Sequence, residues 1–266
     1  MSGQPDAFYE PDGDGFRATV ATRGPWDAGS QHAGPPCALL GRQLERCDAR
    51  PDSRVSRITF DILRPIPIGK VSVDAEVVRD GRSVELVHGT LSDDDGVIMR
   101  AAAWRIRTTE LELPDVVGDG GAVTRPGPEA GEPHDFFPTG QDVGYHTSMD
   151  YRFTAGNFLE PGPARCWLRM RVQLIGGQQP TPLERALVAA DTGNGISSAL
   201  DYREWVFINT DLAVHLHRLP GGEWVGLDSV TRVDGDGIGL TETALYDERG
   251  ELGRAAQSLL VAPRSD

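Results

Sequence analysis

The 266 residues of this chain, 39% of them hydrophobic, are enough to bury a sizeable core in one large domain or two small ones. A formal net charge of −14 argues against nucleic acid or an anionic membrane surface as a partner, and no run approaches the roughly 18 apolar residues of a membrane span. The cysteines Cys37, Cys47 and Cys166 lack zinc-type spacing, and their odd number gives no disulfide framework, so a cytoplasmic setting is expected.

The first half of the chain predicts a short strand, a glycine-bearing loop, a helix and then four strands in an antiparallel meander. Alternating apolar residues predict the strands, and a leucine-rich stripe predicts the helix. In chain order these elements are a strand at 16–20, the loop at 26–34, the helix at 37–47, and strands at 55–63, 71–79, 82–91 and 97–107.

Residues 111–145 are rich in glycine, proline and acid, which is typical of a linker or a surface excursion. The second half then predicts strands at 150–153 and 164–174, a helix from 181, and strands at 206–217, 224–233, 239–246 and 252–261. We therefore expect an N-terminal unit at 1–110, the linker at 111–145 and a C-terminal unit at 146–266.

The two halves repeat each other. A shift of 154 residues places 58–107 over 212–261 without a gap, and 12 of the 50 pairs are identical, among them Arg64/Arg218, Asp93/Asp247 and Gly96/Gly250. About three identities would be expected by chance, so the match indicates a duplication. Each half is predicted to be one helix followed by a four-strand meander, which gives a duplicated α+β fold.

The helix that starts near residue 181 carries an acid on its apolar side. Thr181, Pro182 and Glu184 form a capping box with proline at the first helical position. Asp191 lies four residues after Leu187 on the inward stripe, and a buried carboxylate is costly unless it is hydrogen-bonded or paired. The same Asp191 opens the run DTGNG, which is equally typical of a helix end with a turn-forming aspartate.

Strand alternation predicts two polar partners for this acid. In the strand at 206–217, Thr210 shares a face with Ile208 and Leu212, which places a hydroxyl on the apolar side. In the last strand, Gln257 shares a face with Leu259. Polar groups directed into a core must satisfy one another or a trapped water, although Thr210 alone is also an ordinary strand residue.

Several motifs resemble the acyl-CoA thioesterase II family, in which a double hotdog fold wraps two central helices in antiparallel sheet. They are GSQHAGPPCALLGRQLE at 29–45, FDILRP at 60–65, the RDG turn at 79–81, and the trio Asp191, Thr210 and Gln257. The resemblance implies that the trio holds the water that attacks a thioester. It also places Gln31, His32 and Gly34 in the loop at the substrate entrance, where backbone N–H groups suit an oxyanion.

The expected function is therefore hydrolysis of an acyl-CoA to a free acid and CoA, with Asp191 as general base and no cofactor or metal. On the ungapped shift, Asp191 corresponds to Cys37, Thr210 to Ser56 and Gln257 to Ala103, which predicts one active centre per chain. The resemblance to double hotdog proteins further implies a homodimer or larger homo-oligomer.

Two other functions stay open at this point. Hotdog hydratases and dehydratases act on acyl thioesters and typically pair an Asp with a His shortly after it, but no His follows Asp191 until His215. A non-catalytic acyl-CoA-binding protein would keep the duplicated sheet and use the trio only for internal hydrogen bonding.

Overall fold

A computed structural model describes residues 3–114, 125–134 and 136–264. The strands are β1 Ala7–Asp12, β2 Gly15–Ala18, β3 Ser53–Ile62, β4 Lys70–Asp80, β5 Val84–Asp93, β6 Gly96–Arg107, β7 Met149–Ala155, β8 Ala164–Met170, β9 Gln173–Ile175, β10 Trp205–Asn209, β11 Asp211–Leu216, β12 Val225–Val233, β13 Ile238–Asp247 and β14 Gly250–Pro263. The helices are α1 Gly34–Arg46, α2 Tyr145–Ser148, α3 Pro182–Ala190 and α4 Gly193–Ile196.

Helix α3 begins as its capping box predicts. Thr181 Oγ1 accepts a hydrogen bond from Glu184 N at 3.2 Å, and Glu184 Oε2 accepts one from Thr181 N at 2.9 Å. Helix α1 starts at Gly34, three residues earlier than predicted, and has no side-chain cap. Pro35 and Pro36 occupy its first turn, where the missing N–H groups need no partner.

The strands form one sheet in the order β7-β8-β12-β13-β14-β11-β3-β6-β5-β4-β2-β1-β9, with β10 also paired to β14. The two halves join where β3 and β11 pair antiparallel, with Phe60 opposite Leu212. Helix α1 packs on β4, β5 and β6, helix α3 packs on β8, β12 and β13, and the two helices pack against each other. This arrangement confirms the predicted α+β fold of two central helices, each wrapped by antiparallel sheet.

The strand boundaries confirm the duplication. Strands β5 and β13 both start and end 154 residues apart, and β6 and β14 both start at a glycine with positive φ, 112° at Gly96 and 120° at Gly250. The helices do not keep this spacing, because α1 begins at Gly34 and α3 at Pro182, only 148 residues apart. The predicted correspondence of Asp191 with Cys37 is therefore wrong.

The identical residues of the repeat build the same ion pair twice. Arg64 contacts Asp93, and Arg218 contacts Asp247 with two hydrogen bonds of 2.6 and 2.7 Å. Each arginine also donates to the carbonyl of the glycine that starts the next strand, Gly96 or Gly250. These pairs hold the hairpins between β5 and β6 and between β13 and β14.

The second of these pairs predicts a pH-dependent contribution to stability. Burial alone raises the pKa of Asp247, but hydrogen bonds from Arg218, Gly221 and Arg249 outweigh it and hold the pKa well below its ordinary value. Stability from a carboxyl with a depressed pKa is complete above its unfolded pKa of about 3.9 and is lost as the pH falls through the folded pKa. We expect Asp247→Asn to lower the free energy of unfolding by about 1.5–3 kcal/mol at neutral pH.

Urea unfolding at neutral pH and near pH 3 checks this expectation. The effect of Asp247→Asn should shrink at the lower pH. The control Asp94→Asn, at an exposed position, should change the free energy of unfolding little at either pH. An effect that grows on acidification would contradict the role given to the Arg218 contact.

Part of the predicted linker packs against the second half. Residues 115–124 and 135 lie outside the described part of the chain, but Trp167 Nε1 donates to Pro126 O at 2.9 Å, and Phe137 is buried. Two aromatic side chains, Phe136 and Phe137, cover the core at this point. The division of the chain at residues 110 and 145 stays a prediction.

All three cysteines carry free thiols, and Cys37 and Cys166 are buried. Among the described helices, none has the length and apolar character that a membrane crossing requires.

Candidate active site

Asp191 lies at the end of α3 and is 3% exposed. Three side chains meet its carboxylate: Asn209 Nδ2 donates to Oδ1 at 2.8 Å, Gln257 Nε2 donates to Oδ1 at 3.2 Å, and His32 Nδ1 lies 3.0 Å from Oδ2. The predicted inward orientation of Asp191 is confirmed, and so is the alternative that it ends the helix. The two predictions are compatible because Asp191, the residue directly after the last turn of α3, lies on the same inward face as the helix residues before it.

Gln257 lies on β14 and is 1% exposed. Besides its contact with the Asp191 carboxylate, its Nε2 lies 3.3 Å from Asp191 O, and its Oε1 accepts from Asn194 N at 3.2 Å. One amide thus connects the end of α3 to the start of α4. The structure brings together two members of the predicted trio, Asp191 and Gln257.

Thr210, the third member, lies elsewhere. It is exposed, at a bend between β10 and β11, and its hydroxyl contacts Asp211 Oδ1 at 3.4 Å. The prediction that Thr210 points inward is wrong because this bend shifts the alternation by one residue, and a one-residue shift exchanges the two faces of a strand. Asn209 consequently takes the inward position beside Asp191.

The burial pattern shows this shift, which residues 205–208 do not select in the sequence because all four are apolar. Phe207 is buried and two residues before Asn209, whereas the buried residues of β11 are Leu212, Val214 and Leu216. The inward positions are odd-numbered before the bend and even-numbered after it. An irregularity between residues 209 and 212 is therefore required if both apolar sets are to be buried.

His32 comes from the loop before α1 and is held by Tyr145. The two rings are stacked with centroids 3.8 Å apart and an interplanar angle of 8°. Burial, with a smaller contribution from the nearby Asp191 charge, raises the pKa of Tyr145 even though a hydrogen bond to Thr192 opposes the shift, so its hydroxyl stays protonated. That hydroxyl donates to Val188 O at 2.8 Å and contacts Thr192 Oγ1 at 2.8 Å.

Whether His32 Nδ1 carries a proton determines whether the Gly34 N–H can donate to His32. His32 Nδ1 lies 3.0 Å from Asp191 Oδ2 and 3.1 Å from Gly34 N, but it cannot donate to the first and accept from the second at once. An ionised Asp191 favours the tautomer with the proton on Nδ1. In that tautomer the Gly34 N–H, at the start of α1, is available to another acceptor.

Gly34 and Gln31 have structural contacts of their own. A Cβ atom at Gly34 would lie 2.5 Å from Val188 O, so glycine is needed where α1 and α3 meet. Gln31 is buried, accepts from Tyr9 OH at 2.7 Å and donates to Pro67 O at 2.7 Å. Gln31 therefore fixes the loop that presents His32.

The centre is shared between the two halves, because His32 belongs to the first and Asp191 to the second. Cys37, also near Asp191, is buried, and burial together with the Asp191 charge raises the pKa of its thiol. The thiol stays protonated and is not suited to nucleophilic attack. The chemistry that this arrangement can provide is that of a buried carboxylate, two amides and an imidazole acting on a polar substrate group.

A narrow crevice lies beside the centre. Residues of the N-terminal loop, the predicted linker, α4, β10 and the segments that flank them line it: Trp26, Phe137, Phe158, Asn194, Gly195, Ser198, Tyr202 and Phe207. Asn194 donates its N–H to Gln257, and Phe207 shares the inward face of β10 with Asn209. We call the five aromatic residues of this lining, Trp26, Phe137, Phe158, Tyr202 and Phe207, the aromatic slot.

Family models match both halves. The acyl-CoA thioesterase N-terminal domain matches residues 22–106, and the acyl-CoA thioesterase C-terminal domain matches residues 128–261. These ranges include His32, Asp191, Asn209 and Gln257. A comparison with curated proteins finds no match.

Solved structures with the same fold cover nearly the whole chain. A provisionally named thioesterase II from Thermobifida fusca YX is 18% identical with a TM-score of 0.75, covering 94% of this chain and 93% of its own. A conserved hot dog fold protein from Alicyclobacillus acidocaldarius is 14% identical with a TM-score of 0.72, covering 98% and 97%. The acyl-CoA thioesterase II TesB2 from Mycobacterium marinum is 16% identical with a TM-score of 0.64, covering 96% and 94%.

At these identities the structures show the fold, and the two family models together span most of the sequence. The chain therefore belongs to the acyl-CoA thioesterase II family and is a thioesterase with a double hotdog fold.

Proposed function

We propose that this enzyme hydrolyses acyl-CoA thioesters to a free acid and CoA at the centre built around Asp191. The proposal rests mainly on the buried carboxylate of Asp191. Three side chains contact it, and they come from both halves of a thioesterase fold. A carboxylate held in this way suits a general base, because its position is fixed before the substrate arrives.

In the proposed reaction, Asp191 takes a proton from a water molecule as the water oxygen attacks the thioester carbonyl carbon. Gln257 and Asn209, which replaces Thr210 in this role, orient the carboxylate and the water. The Gly34 N–H stabilises the negative carbonyl oxygen of the tetrahedral intermediate. The carbon–sulfur bond then breaks, and the proton held by Asp191 passes to the departing CoA sulfur.

Thiol release from short, medium and long acyl-CoAs tests the proposal directly. We expect hydrolysis of at least one ester by the wild-type chain without added metal or cofactor. Binding of acyl-CoA with neither thiol release from any ester nor hydration of a 2-enoyl-CoA would instead establish a non-catalytic acyl-CoA-binding protein.

His32 is predicted to position Asp191 by donating from Nδ1. We expect His32→Ala to lower kcat by about 10–100-fold, because Asp191 loses a charge-assisted hydrogen bond. The amide of His32→Asn can place an N–H donor near the same point, so this variant should recover much of the loss. Steady-state kinetics of both variants across pH test the role, and equal losses in the two would contradict simple positioning.

Hydration of a 2-enoyl thioester is a second candidate, and one observation favours it. The fold brings His32 to 3.0 Å from Asp191, which supplies the Asp and His pair that the sequence lacks after Asp191. Loss of the conjugated enoyl absorbance from a 2-enoyl-CoA without thiol release would support this reaction over hydrolysis.

We also propose that the enzyme acts in the cytoplasm as a homodimer or larger homo-oligomer. Its three free thiols suit a reducing compartment. Ile208, Ile238 and Leu260, on neighbouring strands, form an exposed aliphatic strip of the kind that subunit contacts cover. A monomer in sedimentation experiments would contradict the oligomer.

A further inference from the structure

We infer that the aromatic slot binds the acyl group and selects flat, aromatic acyl thioesters over long saturated ones. This inference rests on the proposed function, since it assigns the substrate class of the same centre. It follows from three features of the slot: its position, its walls and its inner end.

The position of the slot suits the acyl group. At its inner end, Asn194 donates to Gln257, which contacts Asp191, and Phe207 is two residues from Asn209 on the same strand face. At its outer end, Trp26 is 46% exposed. A substrate whose thioester lies at Asp191 can therefore place the group attached to its carbonyl carbon between these aromatic side chains.

The walls of the slot suit a flat ring. Trp26 stacks on Phe137 with centroids 5.0 Å apart, and Phe137 packs on Tyr202 at 4.5 Å. The enclosed space is only about 20 Å³, room for about one water molecule. A planar acyl group can enter by separating two stacked rings and replacing their contact with stacking on both of its own faces.

Helix α4, whose residues line the slot, packs on β12 and β13. Hydroxyls on these two strands bond to one another, Thr231 to Thr241 at 2.7 Å and Ser229 to Thr243 at 2.9 Å. Ser197 of the α4 end joins them through Thr231 at 2.9 Å. A long alkyl chain that entered here would break these hydrogen bonds without replacing them, which is costly in a buried site.

A comparison of kcat/KM for benzoyl-CoA, octanoyl-CoA and hexadecanoyl-CoA tests the inference. We expect benzoyl-CoA to exceed hexadecanoyl-CoA by ~10-fold or more, as expected when a pocket rejects added methylenes. Hexadecanoyl-CoA hydrolysed as well as or better than benzoyl-CoA would overturn the aromatic selection while leaving hydrolysis in place. Absence of thiol release from every ester would overturn the proposed function itself.

Phe207→Leu and Phe60→Leu form a matched pair of variants. Both replace a buried aromatic side chain, but Phe207 lines the slot, whereas Phe60 lies on β3 where the two halves join. Phe207→Leu should shift the benzoyl to octanoyl ratio toward octanoyl by ~5–10-fold, whereas Phe60→Leu should leave the ratio within about 2-fold.

Trp26→Leu provides an independent variant, because Trp26 is half exposed and its replacement should not impair folding. It should shift the same ratio in the same direction by ~3-fold. Equal ratios in Phe207→Leu, Trp26→Leu and the wild type would overturn the assignment of the slot.

Discussion

Replacement of Asp191 by Asn is expected to lower kcat by ~10³-fold or more, within the usual range for loss of a general base. The amide has nearly the same shape as the carboxylate, so packing at the end of α3 is kept. It cannot accept a proton from water at neutral pH. Its carbonyl oxygen can keep the contacts that Asn209 and Gln257 make with Oδ1, and its NH2 group then faces His32 Nδ1 in place of Oδ2. The measurement is thiol release under saturating acyl-CoA, with binding of the ester measured separately by calorimetry.

Thr210→Val is the matched control. Its hydroxyl is exposed, and the only side chain it contacts among the described residues is Asp211, so we expect kcat to stay within about 3-fold of wild type. Wild-type activity in Asp191→Asn, or a large loss in Thr210→Val, would contradict the assignment of Asn209 and Asp191 to the centre.

Glu184→Gln is expected to destabilise the protein strongly, by about 3–5 kcal/mol, because it leaves a buried charge unpaired. Arg42 Nη1 donates to Glu184 Oε1 at 2.6 Å, and the two side chains are 9% and 1% exposed. Gln178 also contacts the Arg42 guanidinium. The pair lies late in α1 and early in α3, at the opposite end of the helix pair from Asp191 and His32.

Urea unfolding measures this effect, and Glu242→Gln provides the control. Glu242 pairs with Arg232 on the surface, where both side chains are more than half exposed, so its loss should cost less than about 1 kcal/mol. Replacing both partners, Arg42→Met with Glu184→Leu, should recover much of the stability. Equal effects of Glu184→Gln and Glu242→Gln would contradict a buried ion pair.

The Arg42 and Glu184 pair supports one centre per chain, although the predicted correspondence of Asp191 with Cys37 is wrong. The antiparallel helices give two similar ends, one with the Asp191 carboxylate and the other with the Arg42 and Glu184 pair. A carboxylate neutralised by an arginine is not free to act as a base. The prediction of a single centre rests on this contact and on the correspondence of Gln257 with Ala103, which lies inside the ungapped repeat and leaves the first half without the amide.

Local patterns were sufficient to predict most of the fold. The capping box at Thr181, the alternation of the meander strands and the glycines that start β6 and β14 each depend on near neighbours in sequence. The internal repeat then indicated that the same unit of one helix and a four-strand meander occurs twice, which predicts the whole architecture. Strand β1 was missed because AFYEPD lacks regular alternation, and its pairing with β2 and β9 supplies the missing order.

The site was only partly predictable, for physical reasons that differ between residues. Asp191 and Gln257 follow from burial patterns within their own elements. Asn209 depends on the bend at Thr210, which alternation from one side of the bend does not reveal. The resemblance places His32 at the substrate entrance, but its contact with Asp191 and its stacking on Tyr145 arise from the packing of distant segments, for which a single sequence contains no local signal.

A crystal structure of the Asp191→Asn variant with benzoyl-CoA bound tests the proposed centre most directly. We expect the thioester carbonyl to lie within reach of the residue 191 side chain through one water molecule, with its oxygen toward Gly34 N and the ring in the aromatic slot. A thioester bound away from residue 191, with the slot unchanged, would contradict this expectation.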